Sequence, residues 1–196
     1  NVSAGGEYTC VGLSHGTVRC VGRNQFGQFA DGTQNSSAVL VTSSLANVTR
    51  VVAGDEFACA LLRDGTAKCW GLGESGQLGD GTFSPYSTVP VVVGGLTGAS
   101  AVAAGYDHAC ALVANGTLRC WGGNIHGQLG NGTTADPTTG PPGSARDGRG
   151  LRRSRSTPRP QTSDASRVHS APELPELAPI VRRGRRRGNA ASGRQA

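Results

Sequence analysis

The chain has 196 residues, of which 31 are glycine and six are cysteine, while aromatic side chains make up only 5%. No apolar run approaches the length of a membrane span, and no stretch has the charged-then-apolar order of a signal peptide. The chain opens at Asn1 and holds no methionine, so a processed chain or a fragment is expected, with any targeting segment already lost. The net charge of +6 averages two different materials: residues 1–141 carry six Lys and Arg against nine acids, and residues 142–196 carry thirteen Arg against four.

In chain order, a short β-branched or small-residue run opens each of three copies: Val2 to Ala4, Val51 to Ala53 and Val102 to Ala104. A glycine follows (Gly5, Gly54, Gly105), then an alternating run, clearest as Phe57-Ala58-Cys59-Ala60-Leu61-Leu62, which reads as a strand. The turn falls on Ser14-His15-Gly16, Arg63-Asp64-Gly65 and Ala114-Asn115-Gly116. A closing glycine suits a three-residue hairpin whose last position is left-handed. A return strand ends at Cys20, Cys69 or Cys120.

That turn sets the register. If Leu62 and Thr66 close the loop, Cys59 faces Cys69 at a non-hydrogen-bonded pair, where backbones come within reach of a disulfide. The same count joins Cys10 to Cys20 and Cys110 to Cys120, so three hairpin-stapling disulfides are expected. In the chain-entropy model each is worth roughly 2–3 kcal/mol. Six buried reduced thiols are the alternative. The nine residues between the members of each pair are too many for a zinc knuckle, and no metal or cofactor is expected.

The glycine-rich loops Gly71 to Thr82 and Gly122 to Thr133 lack the Gly-Lys-Ser/Thr of a phosphate cradle and read as tight turns. A fourth short strand follows, Val39-Leu40-Val41 in the first copy and Val89-Pro90-Val91-Val92-Val93 in the second. Cys10 to Cys59 is 49 residues and Cys59 to Cys110 is 51. Four strands per unit at such a period describe the blade of a β-propeller. The expected fold is all-β: an incomplete propeller of three four-stranded blades (about 1–49, 50–100 and 101–141), followed by a disordered basic tail at 142–196.

The motifs Ala-Gly-x-x-His-x-Cys-Ala-Leu, Gly-Thr-Leu-x-Cys-Trp-Gly and Gly-Gln-Leu-Gly-x-Gly-Thr, spelled between Ala104 and Thr133, resemble the repeats of the regulator of chromosome condensation family. The resemblance covers residues 1–141. It implies a seven-bladed propeller of which three blades are present, and the cysteine-paired form resembles the bacterial extracytoplasmic members. The first copy departs from the pattern, with Val21 where Trp70 and Trp121 stand and Phe29-Ala30 in place of Leu78-Gly79.

His108 is the obvious catalytic candidate, but its equivalents are Tyr8 and Phe57, so the position takes any flat ring and packing accounts for it. His15 aligns with Asp64 and Asn115 in a turn, and His126 aligns with Phe26 and Ser75. Asp31, Asp80 and Asn131 precede Gly-Thr and are expected to bond their own backbones as turn residues. No nucleophile–base set emerges, so a non-enzyme is expected. The sequons at Asn35, Asn47, Asn115 and Asn131 carry little weight, since Asn-Gly-Thr also follows from turn chemistry. Glu74, Phe83, Tyr86 and Ile125 break the repeat's pattern and are the expected contact residues.

The array stops inside a blade. Pro142-Gly143-Ser144 arrives where Val91 to Val93 predict a strand, and beyond it the chain has no Phe, Trp, Tyr or Cys. Such a segment cannot offset its ordering entropy by burial. The run Arg182-Arg183-Gly184-Arg185-Arg186-Arg187 offers charge for phosphates but nothing for base stacking, so nucleic acid is expected to bind at most non-specifically. Eighteen arginines against one lysine also describe a GC-rich gene read out of frame, which makes a frameshift origin the alternative.

The expected function is a non-enzymatic, protein-binding or inhibitory scaffold, extracellular or at the cell surface. One secreted member of the resembled family inhibits β-lactamases. The alternatives are a guanine-nucleotide exchange factor for a small GTPase or a chromatin-associated protein, cytoplasmic or nuclear. A truncated product without autonomous function, prone to self-associate through strand edges, is the third reading.

Overall fold

The computed structural model describes residues 1–136 and the backbone of Gly143–Ser144, all within one compact unit, Asn1–Ser154. Twelve strands form: β1 (Val2–Ala4), β2 (Tyr8–Gly12), β3 (Val18–Gly22), β4 (Ser37–Thr42), β5 (Val48–Ala53), β6 (Phe57–Leu62), β7 (Ala67–Leu72), β8 (Tyr86–Val92), β9 (Ala99–Ala104), β10 (His108–Val113), β11 (Leu118–Gly122) and β12 (Gly143–Ser144). There is no helix among the described residues.

The strands make three four-stranded antiparallel sheets in chain order, β1–β4, β5–β8 and β9–β12, and the array is not closed. The opening and fourth strands run longer than their β-branched cores, as β5 from Val48 and β8 from Tyr86 show. The expectation of a disordered basic tail, and of its frameshift origin, lies outside the described residues. Next to Pro142, where the repeat pattern breaks, Gly143 and Ser144 still pair with Cys120 and Arg119.

Hairpin register follows from the turn. Leu62 N–H donates to Thr66 O at 2.9 Å and Gly65 N–H to Leu62 O at 3.1 Å, with Gly65 at φ 77°. Counting back from there, Cys59 stands opposite Cys69, just as Cys10 stands opposite Cys20 and Cys110 opposite Cys120. All three pairs are disulfides, with Cα–Cα separations of 4.1, 4.0 and 4.1 Å in chain order.

Two apolar clusters join the sheets. Tyr8, Cys10, Val18, Cys20 and Phe29 of the first sheet meet Val48, Val51, Ala58, Ala60 and Trp70 of the second. One repeat later, Phe57, Cys59, Ala67, Cys69 and Leu78 of the second sheet meet Ala99, Val102, Ala109, Ala111 and Trp121 of the third. The second and third sheets thus turn alanines and a tryptophan toward the sheet before, and the first and second turn a ring and a disulfide toward the sheet after. A register shift between Cys69 and Gly71 leaves Trp70 outside the β7–β8 pairing. Trp70 stands opposite Ala58, so strand alternation puts its indole on the face of Ala58 and Ala60, against the preceding sheet.

Candidate binding surface

Alternating strand direction puts the connections β1–β2, β5–β6 and β9–β10 at one end of the sheets, with the longer loops after β3, β7 and β11. The short connections rest on a ring-over-glycine contact. A Cβ at Gly54 would lie 2.1 Å from the Phe57 ring, and Gly5 and Gly105 are under Tyr8 and His108 in the same way. His108 therefore holds the packing position expected of it. Its Nδ1 is buried without a hydrogen-bond partner among the described residues, 3.7 Å from Asp107 Oδ1.

The longer loops are organised by side chains that the sequence reading gave no role. Asn24 is fully buried, accepting from Phe29 N–H at 2.8 Å and donating to Thr33 O at 3.1 Å and Asn35 O at 3.2 Å. Asn124 repeats the pattern with Leu129 N–H, Thr133 O and Ala135 O. The second loop has Gly73 at this step, where a Cβ would stand 2.3 Å from Ser84 O, so backbone fills the space that Asn occupies elsewhere. A polar residue at one step in two copies of three was the available signal.

Gln28, Gln77 and Gln128 do recur in all three copies. Each side-chain carbonyl accepts the N–H two residues earlier, from Phe26, Ser75 and His126. The backbone carbonyls of the first two take indole protons from the next sheet: Trp70 Nε1–H reaches Gln28 O at 2.7 Å, and Trp121 Nε1–H reaches Gln77 O at 3.0 Å. The expected turn bonds form as well, from Thr33, Thr82 and Thr133 N–H to Asp31, Asp80 and Asn131, each at 2.9 Å.

On this framework the expected contact residues stand at one end. Glu74 and Ile125 occupy equivalent loop tips and are exposed, Ile125 to 61%. Phe83 lies against Gly76, and Tyr86 opens β8 opposite Leu72; both are exposed. The structure adds Tyr106, the most exposed of these rings, whose phenol pKa is held above its usual range chiefly by the negative charge of the neighbouring Asp55 carboxylate. Of the nine acids in residues 1–136, eight lie at this end, the exception being Asp64. Arg23 is the only Lys or Arg among these loops, and it is spent bridging Glu7 at 2.9 Å and Glu56 at 3.1 Å between two sheets.

The hollows are shallow. One of about 270 Å³ lies beside Glu7, Arg23, Asp55 and Glu56. A larger one, about 460 Å³, lies at the opposite end between the first two sheets, among Asn47, Arg63, Asp64 and Lys68. There Thr66 hydrogen bonds lower the pKa of Asp64. Among the described residues, no group of three or more His, Cys, Asp or Glu is placed to hold a metal ion, and no helix is long and apolar enough to cross a membrane.

Two family models described as the regulator of chromosome condensation (RCC1) repeat match the chain, one at residues 48–77 and 99–128 and the other at 64–112. The second match runs from the β6–β7 turn into β10, so the family's repeat straddles neighbouring sheets. The first copy lies outside both matches, in keeping with its departures at Val21 and Phe29-Ala30. No curated protein matches the sequence.

Among solved structures, human WBSCR16 is similar over 74% of this chain and 39% of its own, at 26% identity and a TM-score of 0.65. Prp20p of Saccharomyces cerevisiae, a protein that binds Gsp1p and histones, is similar over 76% of this chain and 38% of its own, at 20% identity and a TM-score of 0.61. The chain thus spans about two-fifths of these solved relatives. Repeat matches, three like sheets and the shared propeller fold agree: the chain is a regulator of chromosome condensation repeat protein carrying a partial set of repeats.

Proposed function

We propose that the chain is a non-enzymatic protein-binding scaffold that works outside the cytoplasm, engaging its partner through the acidic loop end. The observation that carries this reading is the gathering of Glu74, Phe83, Tyr86 and Ile125, with Tyr106, on one end of sheets that are internally stapled. Rigid strands presenting divergent loops are a common way to build recognition. Exposed rings amid acids favour a partner surface that combines apolar contacts with basic side chains. Three hairpin disulfides suit an oxidising compartment and serve little purpose in a reducing one. Inhibition of a partner enzyme is one form such binding takes.

A photo-crosslinking residue at Ile125, compared with one at His15 on the opposite end, tests the surface in the native secretion. A discrete protein adduct at 125 alone supports the reading; equal adducts at both positions, or none, refute it. Alkylation of the natively produced chain without reductant tests the compartment. Six protected cysteines support it, and six reactive ones redirect the search to intracellular partners, where the exchange-factor alternative stands. Prp20p lends that alternative its fold and, at 20% identity, no more.

A further inference from the structure

Charge in the described residues is divided between the two ends of the sheets. The loop end holds the acids, while five of the six Lys and Arg in residues 1–136 (Arg19, Arg50, Arg63, Lys68 and Arg119) lie toward the other. Arg19 and Arg119 each stand just before a cysteine and donate to backbone, to Leu40 O at 2.9 Å and Gly95 O at 3.2 Å. Lys68, at the same step, makes no such bond among the described residues, and neither does the Arg63 side chain. The ion pairs among those residues belong to Arg23 and His108.

Arg63 and Lys68 both line the hollow of about 460 Å³ between the first two sheets. All its lining residues fall within 44–90, so two adjacent sheets complete it. Leu45, Leu62 and Pro90 give it an apolar wall, and Asn47 gives it an amide. Asn47 is fixed at φ 60°, with Arg63 N–H donating to its carbonyl at 3.0 Å and Val48 N–H to Gly16 O at 2.9 Å. At the equivalent step of the next connection stands Gly98, at φ 65°, whose carbonyl takes Ala114 N–H at 3.0 Å. The first contact therefore has an amide and a guanidinium where the second has Gly98 and Ala114. A non-glycine residue in the left-handed region persists where its surroundings hold it, and such positions gather at ligand sites. Asp64 limits the charge. Its carboxylate accepts Thr66 N–H at 2.9 Å and the Thr66 hydroxyl at 2.6 Å, bonds that keep it ionised and engaged with its own turn. Two cations against one carboxylate suit a monoanion better than a doubly charged phosphate.

We propose that this hollow binds a monocarboxylate carried on an apolar body, the carboxylate between Arg63 and Lys68 and the body against Leu45, Leu62 and Pro90. A guanidinium fork matches a carboxylate with two parallel bonds, and an ammonium adds a point charge. The volume falls within the range of about 300–1,000 Å³ usual for small-ligand sites. A short aliphatic acid and the C-terminus of a polypeptide both present this chemistry. The site lies at the opposite end from the acidic loops and is independent of the partner proposed for them.

The test follows backbone amide resonances of the full, isotope-labelled 196-residue chain during titration with octanoate. Resonances of Asn47, Arg63 and Lys68 are expected to shift together and to saturate at low millimolar octanoate. Arg63→Ala and Lys68→Ala, with three intact disulfides and an otherwise unchanged spectrum, should each weaken binding about tenfold. Asp64→Asn installs the residue that serves the third sheet's turn, where Asn115 Oδ1 accepts Thr117 N–H at 2.9 Å, and should tighten binding about threefold. Acetyl-Ala-Leu with a free carboxylate separates the two sources. Binding tighter than that of octanoate assigns a polypeptide terminus, and weaker binding assigns a small acid. Equal shifts with the peptide amide or with inorganic phosphate overturn the proposal, as do shifts confined to the arginine run at 182–187. Octanoate binding that both alanine variants leave unchanged, or the absence of any saturable shift, overturns it as well.

Discussion

The two contacts between neighbouring sheets are built to one plan with different parts. Both bury a tryptophan, Trp70 or Trp121, and both tie its indole to a glutamine carbonyl of the preceding sheet. At the ring position the first contact has Tyr8, whose hydroxyl bonds the Phe57 and Gly54 carbonyls, and the second has Phe57, which bonds nothing. Facing the indole, the first has Ala30 at φ 56° and the second Gly79 at φ 68°, where a Cβ would sit 2.7 Å from the Trp121 ring. The indole and its carbonyl are common to both contacts, and the parts around them vary. The first sheet, lying outside the family matches, keeps its place by matching the plan rather than the motif.

Trp70→Ala should break the first contact with the largest effect. It removes a fully buried indole and its hydrogen bond, and should cost about 3–5 kcal/mol of unfolding free energy in urea titration. An equal loss from Val21→Ala, at the partly exposed equivalent in the first sheet, would show that burial between sheets is not what matters.

Replacing both Cys59 and Cys69 by alanine should cost about 2–3 kcal/mol. Stepwise reduction sharpens the comparison without mutation. Cys110 is partly exposed, while Cys10, Cys20, Cys59 and Cys69 are all fully buried. Alkylation mapping should therefore find Cys110–Cys120 opened first; simultaneous loss of all three pairs would contradict this.

Tyr8→Phe makes the first contact resemble the second and should cost about 1 kcal/mol at neutral pH, the worth of a typical hydrogen bond. Burial, aided by the Asp55 carboxylate, raises the Tyr8 phenol well above its ordinary range. An acid whose folded pKa is raised contributes stability that is intact below the unfolded pKa, about 10, and lost as pH rises past it. The wild-type chain should lose about 1.4 kcal/mol per pH unit there through this group, and Tyr8→Phe should be free of that component. Parallel pH profiles of the two proteins would refute the assignment.

Ala30→Gly should give a change of similar size and opposite sign, a gain of about 1 kcal/mol from relief of a left-handed alanine, read as a small rise in melting temperature. A loss would mean that the methyl group's packing under Trp70 outweighs its backbone cost.

Legibility in the sequence followed separation along the chain. Turn, register and cysteine pairing were readable because partners stand ten residues apart on two strands joined by a short loop. The ring position was readable because Tyr8, Phe57 and His108 share flatness and little else. Glu74, Phe83, Tyr86 and Ile125 could be nominated only as breaks in the pattern; nothing in their spacing announced a common end crowded with acids. Asn24 and Asn124 went unread because their partners are loop backbone groups, which any sequence supplies. The glutamines were visible as repeats, yet their carbonyls' bonds to Trp70 and Trp121 span 42 and 44 residues.

By itself, the sequence determined the all-β repeat, the hairpin register and the staples, because alternation, turn geometry and short loops act locally. Which face of each sheet is covered, where charge gathers, and that Leu61 and Ala67 are sealed were decided only by the tertiary structure. Burial depends on the neighbour one repeat away, which the local pattern does not contain.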